Sequence, residues 1–417
     1  MKANGENMKG TLMRTGGSAL AVAGLLVVLI AVTSTGEQDS ELATDASELP
    51  TSTVSTTTTA PLLAKGVGED INRAATAAAG FDDEGPPGGG LRESESNDGA
   101  STTSSAPAGS APVRIARPSC AAGLGAPTSR TAPFTGLSAA IPSNLPAVLV
   151  KVSNNNSSSR AALIGLDQAD VVFEERIEAS ATRFAAVFHS SPPPNVGPVR
   201  SGRTTDIQIT QNLNRPVMGY SGSNQGVAAQ IRFAADQGLL VPYVNTDSAP
   251  FARDGRFKAP DNLFVDPTSL GACGGGGNPT PIFSYGTPSS TTAQPASSVS
   301  FQARSPYRFD WNGSRWVRSQ DGYAHTTRTG AALAPANVVV LFVPYVQSAI
   351  DSASVDAQTI GSGAAWMLRD GTITTGSWSR AKGHLPYTLT DGNGTATTLA
   401  PGQTWVVLAP AGSASFG

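Results

Sequence analysis

Cysteine, histidine and charge are all scarce in this 417-residue chain. Two cysteines, Cys120 and Cys273, and three histidines, His189, His325 and His384, are too few and too scattered for ligand spacing, so no metal site is expected. Charged residues make up 14% and the formal net charge is −3, which excludes a basic nucleic-acid binder. No nucleophile elbow is present, since Gly219-Tyr-Ser-Gly-Ser223 ends in serine where glycine is required. The glycine run Gly271-Ala-Cys-Gly-Gly-Gly-Gly-Asn-Pro279 lacks the Lys-Ser/Thr ending of a phosphate loop. No cofactor is expected. Aromatics are nearly missing from the first third, where only Phe81 precedes Phe134. One uniform globular body of 417 residues is therefore excluded.

Glycine (45) and proline (30) are instead abundant, and the chain divides into three compositions. Residues 1–15 form a short tail of net charge +2, carrying Lys2, Lys9 and Arg14 against Glu6. Residues 16–36 are uncharged and centred on the apolar run Ala19–Val32, long enough for a membrane helix. The positive tail keeps the N-terminus cytoplasmic and sends the rest outside. An uncleaved anchor is the preferred reading; cleavage after the small residues Val32-Thr-Ser34 would release a secreted protein. No cysteine near this run allows a lipoprotein modification. Residues 37–117 are rich in Ser, Thr, Ala, Gly and Pro; with the two residues before them they carry a net −8, and they read as a disordered acidic stalk.

The remaining part, of net charge +3, carries the core and only three glutamates, Glu174, Glu175 and Glu178. Outside the cytoplasm Cys120 and Cys273 are expected to pair, closing a loop of about 150 residues worth ~4–5 kcal/mol by chain entropy. The expected fold is mixed α/β or α+β. Residues 118–272 form an α/β subdomain, 273–298 a Gly/Ser/Pro connector, and 299–417 a mostly β subdomain.

In the first subdomain, strands are predicted at Ala147–Val152, Ala169–Glu175, Thr182–His189 and Pro216–Tyr220. Thr205–Asn212 has helical character. Gln225–Gln237 carries Val227, Ile231 and Ala234 on one face and stops at Gly238, which predicts an amphipathic helix whose N-terminal amides suit an anion. In the second subdomain, Asn312-Gly313 predicts a hairpin within Tyr307–Arg318. Further strands are predicted at Asn337–Val343, Gly361–Arg369, Thr374–Trp378 and Thr404–Leu408.

Thr182-Arg-Phe, continuing to Gly197-Pro-Val-Arg-Ser-Gly-Arg203, resembles the "TR…GPVRS-R" signature of the YerB-type lipoprotein family of bacterial envelopes. Leu166-Asp-Gln-Ala-Asp-Val-Val-Phe-Glu174, Arg256-Phe-Lys-Ala-Pro-Asp-Asn262, Gly376-Ser-Trp-Ser-Arg-Ala-Lys382 and Leu399-Ala-Pro-Gly-Gln-Thr-Trp405 are similar to other blocks of that family. The similarity runs from Pro133-Phe-Thr-Gly-Leu137 nearly to the C-terminus. Two positions depart from it: Asp261 stands where the family usually has histidine, and Arg160 is followed by Ala161-Ala-Leu-Ile-Gly165 instead of Pro-Gln. The resemblance implies a fold and an envelope location; the family has no established activity.

Arginine with glycine and serine suits a bidentate grip on carboxylate or phosphate. The ligand-binding candidates are accordingly Arg183, Arg200, Ser201, Arg203, Ser221, Asn224, Arg256 and Asn262, with Glu174, Glu175 and Asp261 as acidic partners. Glu174 and Glu175 are neighbours on a predicted strand and point to opposite faces, so alone they are no glycosidase pair. Either could combine with Asp206 or Asp261, or form an ion pair with Arg183, Arg200 or Arg203. Ser221 with one of the three histidines is a weaker hydrolase candidate, and His325 reads as a satisfied sheet residue. The favoured function is non-catalytic recognition of an anionic envelope ligand, with the membrane and a cell-wall polymer or another envelope protein as partners. A wall hydrolase or transferase, and a plain scaffold, are the alternatives.

Overall fold

The computed structural model describes residues 124–245 and 250–417. The expected tail, membrane helix, stalk and Cys120 lie outside the described residues. Among the described residues no helix is long and apolar enough to cross a membrane.

The strands, in chain order, begin with the hairpin β1 (Pro127–Thr131) and β2 (Ser138–Pro142). There follow β3 (Val148–Val152), helix α1 (Ser157–Ala162), β4 (Val171–Arg176) and β5 (Thr182–Phe188). Next come helix α2 (Thr204–Thr210), β6 (Val217–Tyr220), helix α3 (Gln225–Asp236) and β7 (Val241–Val244). A small hairpin of β8 (Phe251–Arg253) and β9 (Leu263–Val265) precedes helix α4 (Pro267–Gly271). The rest is all β: β10 (Gln294–Pro295), β11 (Ser298–Phe301), β12 (Tyr307–Trp311), β13 (Trp316–Gln320), β14 (Tyr323–Ala324) and β15 (Asn337–Phe342). It ends with β16 (Tyr345–Gln347), β17 (Val355–Ala357), β18 (Gly361–Arg369), β19 (Thr372–Arg380), β20 (Thr388–Asp391), β21 (Thr404–Ala409) and β22 (Ala414–Phe416).

One 11-stranded mixed sheet runs in the order β10-β19-β18-β15-β21-β4-β5-β3-β6-β7, with β20 on β19. A five-stranded sheet, β14-β13-β12-β11-β22, covers part of one face. This corrects the expected fold class. The described region is mostly β, and the helices read from Thr205–Asn212 and Gln225–Gln237 form but stay few and short. The two halves of the chain share this sheet, because β21 pairs in parallel with β4.

Side-chain alternation sorts the long sheet into two cores. Val150, Val152, Val172, Phe184, Val340, Trp405 and Val407 face the five-stranded sheet. Leu149, Phe173, Ala185, Val187, Val339, Leu341 and Val406 face the side of α2 and α3, whose Ile209, Val227 and Ile231 cover them. Central strands are thus buried on both faces, which is why they read as continuous apolar runs. Helix α3 is held at its start by the Asn224 side chain, which accepts from the Val227 amide at 2.9 Å, and stops at Gly238 with φ of +73°.

The expected connector is not a free tether. Ile282 and Phe283 are buried in the helix-side core, and Phe283 stacks on Tyr387 at 5.5 Å between centroids. Its glycines allow close approach: a Cβ on Gly276 would lie 2.0 Å from the Asn214 carbonyl oxygen. Cys273 is disulfide-bonded, and its expected partner Cys120 lies outside the described residues.

Two buried arginines tie the halves together. Arg318 of β13 donates to both oxygens of Glu174 on β4, at 2.8 and 3.3 Å, and both side chains are fully enclosed. The same carboxylate accepts from Trp405 Nε1 at 2.9 Å and Thr182 Oγ1 at 2.8 Å, so its lone pairs are well used. The Arg318 guanidinium also lies over Tyr307, at 4.5 Å from the ring centroid. Arg380 of β19 reaches the α2 end instead, donating to the Gln208 carbonyl at 3.0 Å and to Asn212 Oδ1 at 3.3 Å. Cations suit the C-terminal end of a helix.

Breaking one side of a buried pair leaves an uncompensated charge, whereas removing both can be nearly neutral. Arg318→Met is therefore expected to cost about 3–5 kcal/mol in urea unfolding. Adding Glu174→Gln to that variant should recover a large part of the loss; equal stabilities of single and double variants would refute the pairing.

Candidate functional site

The chemistry-bearing side chains gather on the helix face of the central strands. Glu175 on β4 stands directly across from Arg183 on β5, and Lys151 on β3 is paired with Ala185 two residues along β5. Alternation puts all three on one face, while Glu174 goes to the other and to Arg318. The consecutive glutamates therefore serve two separate centres.

Lys151 is completely buried and donates to Glu175 Oε1 and, at 2.7 Å, to Asp206 Oδ1. Asp206 also accepts from the Arg203 amide at 2.7 Å, which fixes the first turn of α2. One ammonium thus serves two buried carboxylates, and Glu175 Oε2 has no hydrogen-bond partner. Burial outweighs the Lys151 charge and, helped by Asp206, pushes the Glu175 carboxyl up to about 7. Both carboxylates are at most 1% exposed and are committed to the Lys151 ammonium.

Three arginines lie around this centre and differ sharply in their partners. Arg203 grips Glu178 through two hydrogen bonds of 2.9 and 2.8 Å. Burial opposes the Glu178 charge, but Arg203 prevails and the carboxyl falls to about 2. Arg200 makes no side-chain hydrogen bond to a described residue, and its nearest carboxylate, Asp261, is 3.8 Å away. Arg183 is 3% exposed and has no carboxylate partner among the described residues. It donates from Nη2 to Asn155 Oδ1 at 3.0 Å and makes a long 3.5 Å contact to the Ser201 carbonyl, and its Nε is unpaired. Burial first, then the charges of Arg203 and Arg200, lower its pKa to about 9, so it remains charged at neutral pH under strain from its neighbours.

The other expected site residues divide. Ser201 and Asp261 lie beside Arg183 and Arg200, and the Ser221 amide donates to the Arg200 carbonyl at 3.1 Å. Asn224 is a helix cap that also bonds Asp351 at 2.6 Å, so the α3 amides are not an open anion site. Arg256 is held by Asp254, which Arg328 shares at 3.1 Å, and Asn262 accepts from Arg253. The expected pairing of Glu174 or Glu175 with Arg183, Arg200 or Arg203 does not form, because Arg318 and Lys151 take those places. Neither His189 nor His325 serves Ser221: His189 bonds the Leu145 carbonyl at 3.1 Å and His325 meets Arg318. Lys151 was legible only as one polar letter within an apolar strand, and nothing local marked it as the centre's cation. Among the described residues no group of three or more potential ligands could hold a metal ion.

Two sequence profiles match this chain, each described as a protein of unknown function: the DUF3048 N-terminal domain over residues 134–276 and the DUF3048 C-terminal domain over 297–406. A relative from Bacillus subtilis (strain 168), described as "Putative lipoprotein YerB", is 25% identical over 301 residues, covering 67% of this chain and 86% of the relative. The crystal structure of the YerB protein from Bacillus subtilis superposes with a TM-score of 0.59 at 21% identity, over 69% of this chain and 99% of that one. The resemblance read from the "TR…GPVRS-R" residues is borne out, and the two folds are alike.

The Lys151 centre has a calculable pH response. In the folded chain Glu175 keeps its proton to about pH 7, against 4.5 for a free carboxyl. The folded state then binds the extra proton between these values, and stability falls as pH rises through that window. Glu175→Gln should flatten this slope, seen by urea titration at several pH values. Lys151→Met should instead cost about 3–5 kcal/mol at neutral pH and less in acid, because it strands two carboxylates. A slope unchanged in Glu175→Gln would assign the effect to another group.

Proposed function

The chain belongs to the DUF3048 family, the two-module family of YerB, and from this we propose that it is a non-catalytic envelope protein that binds an anionic ligand through Arg183 and Arg200. The observation that carries the reading is the Arg183 guanidinium, almost wholly buried, with an unpaired Nε and no carboxylate partner among the described residues. A buried charge is costly unless paired, so a guanidinium held in this way is poised for an anion. Arg200 supplies further donors at the rim, where its side chain is 17% exposed. Ser201 and Ser221 border it, and Arg203 serves as a strut through Glu178. Guanidinium forks select planar carboxylate and tetrahedral phosphate alike, the groups that anionic wall polymers carry.

The relative's name as a lipoprotein supports an envelope location. The first cysteine in this sequence is Cys120, so the uncharged residues 16–36 are proposed to serve as the anchor in place of a lipid. The enclosure of Glu175 and Asp206 around Lys151 speaks against the wall-hydrolase alternative.

The full chain, in detergent or as a membrane preparation, would be incubated with purified anionic wall polymer, following retention and released fragments together. Retention without release is expected, and Arg200→Gln should weaken it about tenfold with no change in melting temperature. Free phosphate and citrate as competitors distinguish the two anion types. Release of fragments, or undiminished retention by Arg200→Gln, would overturn the reading.

A further inference from the structure

On the opposite face of the long sheet from Arg183, a groove of about 350 Å³ opens between α1 and the edge strand β14. That is the size of a small-ligand site. Ser157, Arg160, Gln320, Tyr323 and His325 contribute its polar and aromatic lining.

His325 is 3% exposed, and the Arg318 Nη1 group meets its Nδ1. A guanidinium has only donors, so Nδ1 must accept and the ring proton must sit on Nε2. Turning the ring over would set a C–H against the guanidinium, and an imidazolium would set N–H against N–H. Burial first, and the charges of Arg318 and Arg160 after it, hold the ring's pKa well below the ordinary histidine value. The imidazole is therefore neutral with a fixed Nε2–H, and that donor has no acceptor among the described residues. It is not the satisfied sheet residue that its sequence context suggests.

The neighbouring groups are of the same kind. Arg160 pairs through Nη2 with Asp321 at 3.0 Å, while its buried Nη1 has no partner. Gln320 accepts from Arg318 with Oε1 at 2.8 Å, which leaves its amide with two N–H donors against one lone pair. Beside these donors the Tyr323 ring stands 78% exposed, far more than any other large apolar or aromatic side chain in the described region. The wall thus asks for a ligand with many oxygen acceptors and one apolar face. A sugar ring has that combination, with hydroxyl, acetamido or carboxylate oxygens on its rim and C–H groups on its face. An extended peptide carries donors and acceptors in equal number and would leave the donor-rich wall half matched.

We propose that this groove is a glycan-binding site, in which His325 Nε2–H and Arg160 donate to sugar oxygens while Tyr323 carries the apolar face of the ring. The site does not rest on the anion-binding reading, since it shares no residue with Arg183 and Arg200. Its rigidity comes from Arg318, which holds Glu174 on one side and orients His325 and Gln320 on the other.

The test uses the ¹⁵N-labelled full chain and three probes: chitotetraose as a neutral acetamido sugar, tetragalacturonate as a carboxylate sugar, and tetra-alanine as an extended peptide. Saturable movement of the His325 imidazole nitrogens with either sugar is expected. Tyr323→Ala, at an exposed position, should weaken that binding about tenfold without altering the melting temperature. Arg160→Gln should weaken the carboxylate sugar more than the neutral one if carboxylate is what the guanidinium takes. No movement of His325 with either sugar, sugar binding unaffected by Tyr323→Ala, or an equal response to tetra-alanine would each overturn the proposal.

Discussion

The buried contact between Glu174 and Arg318 is the constraint on which the rest of the molecule turns. Its partners are 144 residues apart in the chain and sit in different sheets. An unpaired charge at either position would be untenable in an apolar interior, so the five-stranded sheet can dock only where its guanidinium meets that carboxylate. Phe184, Phe309 and Trp405 surround the pair, and Trp405 adds its indole N–H. The contact therefore fixes register as well as position. It also sets the tautomer of His325, so a fold-determining ion pair reaches directly into the chemistry of a surface groove.

Strand alternation then explains how two such different centres can be adjacent. Glu174 and Glu175 are consecutive, yet one belongs to the docking interface and the other to the Lys151 cluster. A one-residue slip of β4 would turn each to the opposite face, so that Glu174 and Glu175 could not both meet a cation. The neighbouring Phe173 and Val172 would exchange cores as well, which is the stronger penalty and the reason the register holds. The charges are thus placed by the apolar residues beside them, and only afterwards stabilise the arrangement they were given.

Much of the first level was legible. The apolar runs at Ala147–Val152, Thr182–His189, Asn337–Val343 and Thr404–Leu408 announced buried strands, Asn312-Gly313 announced a hairpin, and Gly238 announced the end of a helix. Partnership was not legible, for a physical reason. The long sheet joins its halves through the parallel pairs β15–β21 and β21–β4, whose partners are set by long-range packing and leave no turn signal. The same holds for the site. Arg183, Arg200 and Arg203 could be singled out by residue type, but their different states depend on which carboxylates the fold brings near. Arg203 finds Glu178, Arg200 finds only a distant Asp261, and Arg183 finds none among the described residues. The glycine run near Cys273 misled because flexibility and close packing use the same residue, and only the contacts of Gly276 separate the two.

The scarcity of charge takes on a different meaning once its placement is known. Lys151, Glu174, Glu175, Asp206, Arg318 and Arg380 are all essentially enclosed, so part of a small complement of ionic groups is committed to the interior. Such groups are poor contributors to stability compared with apolar residues of the same volume, which makes their retention informative about specificity. Each one enforces a partner: β13 on β4, β19 on α2, and the start of α2 on β3. Once those demands are met, few buried cationic donors remain unsatisfied among the described residues: one nitrogen each of Arg130, Arg160 and Arg183. A chain that uses its interior charges so completely leaves its recognition chemistry to the donors that the fold cannot satisfy by itself.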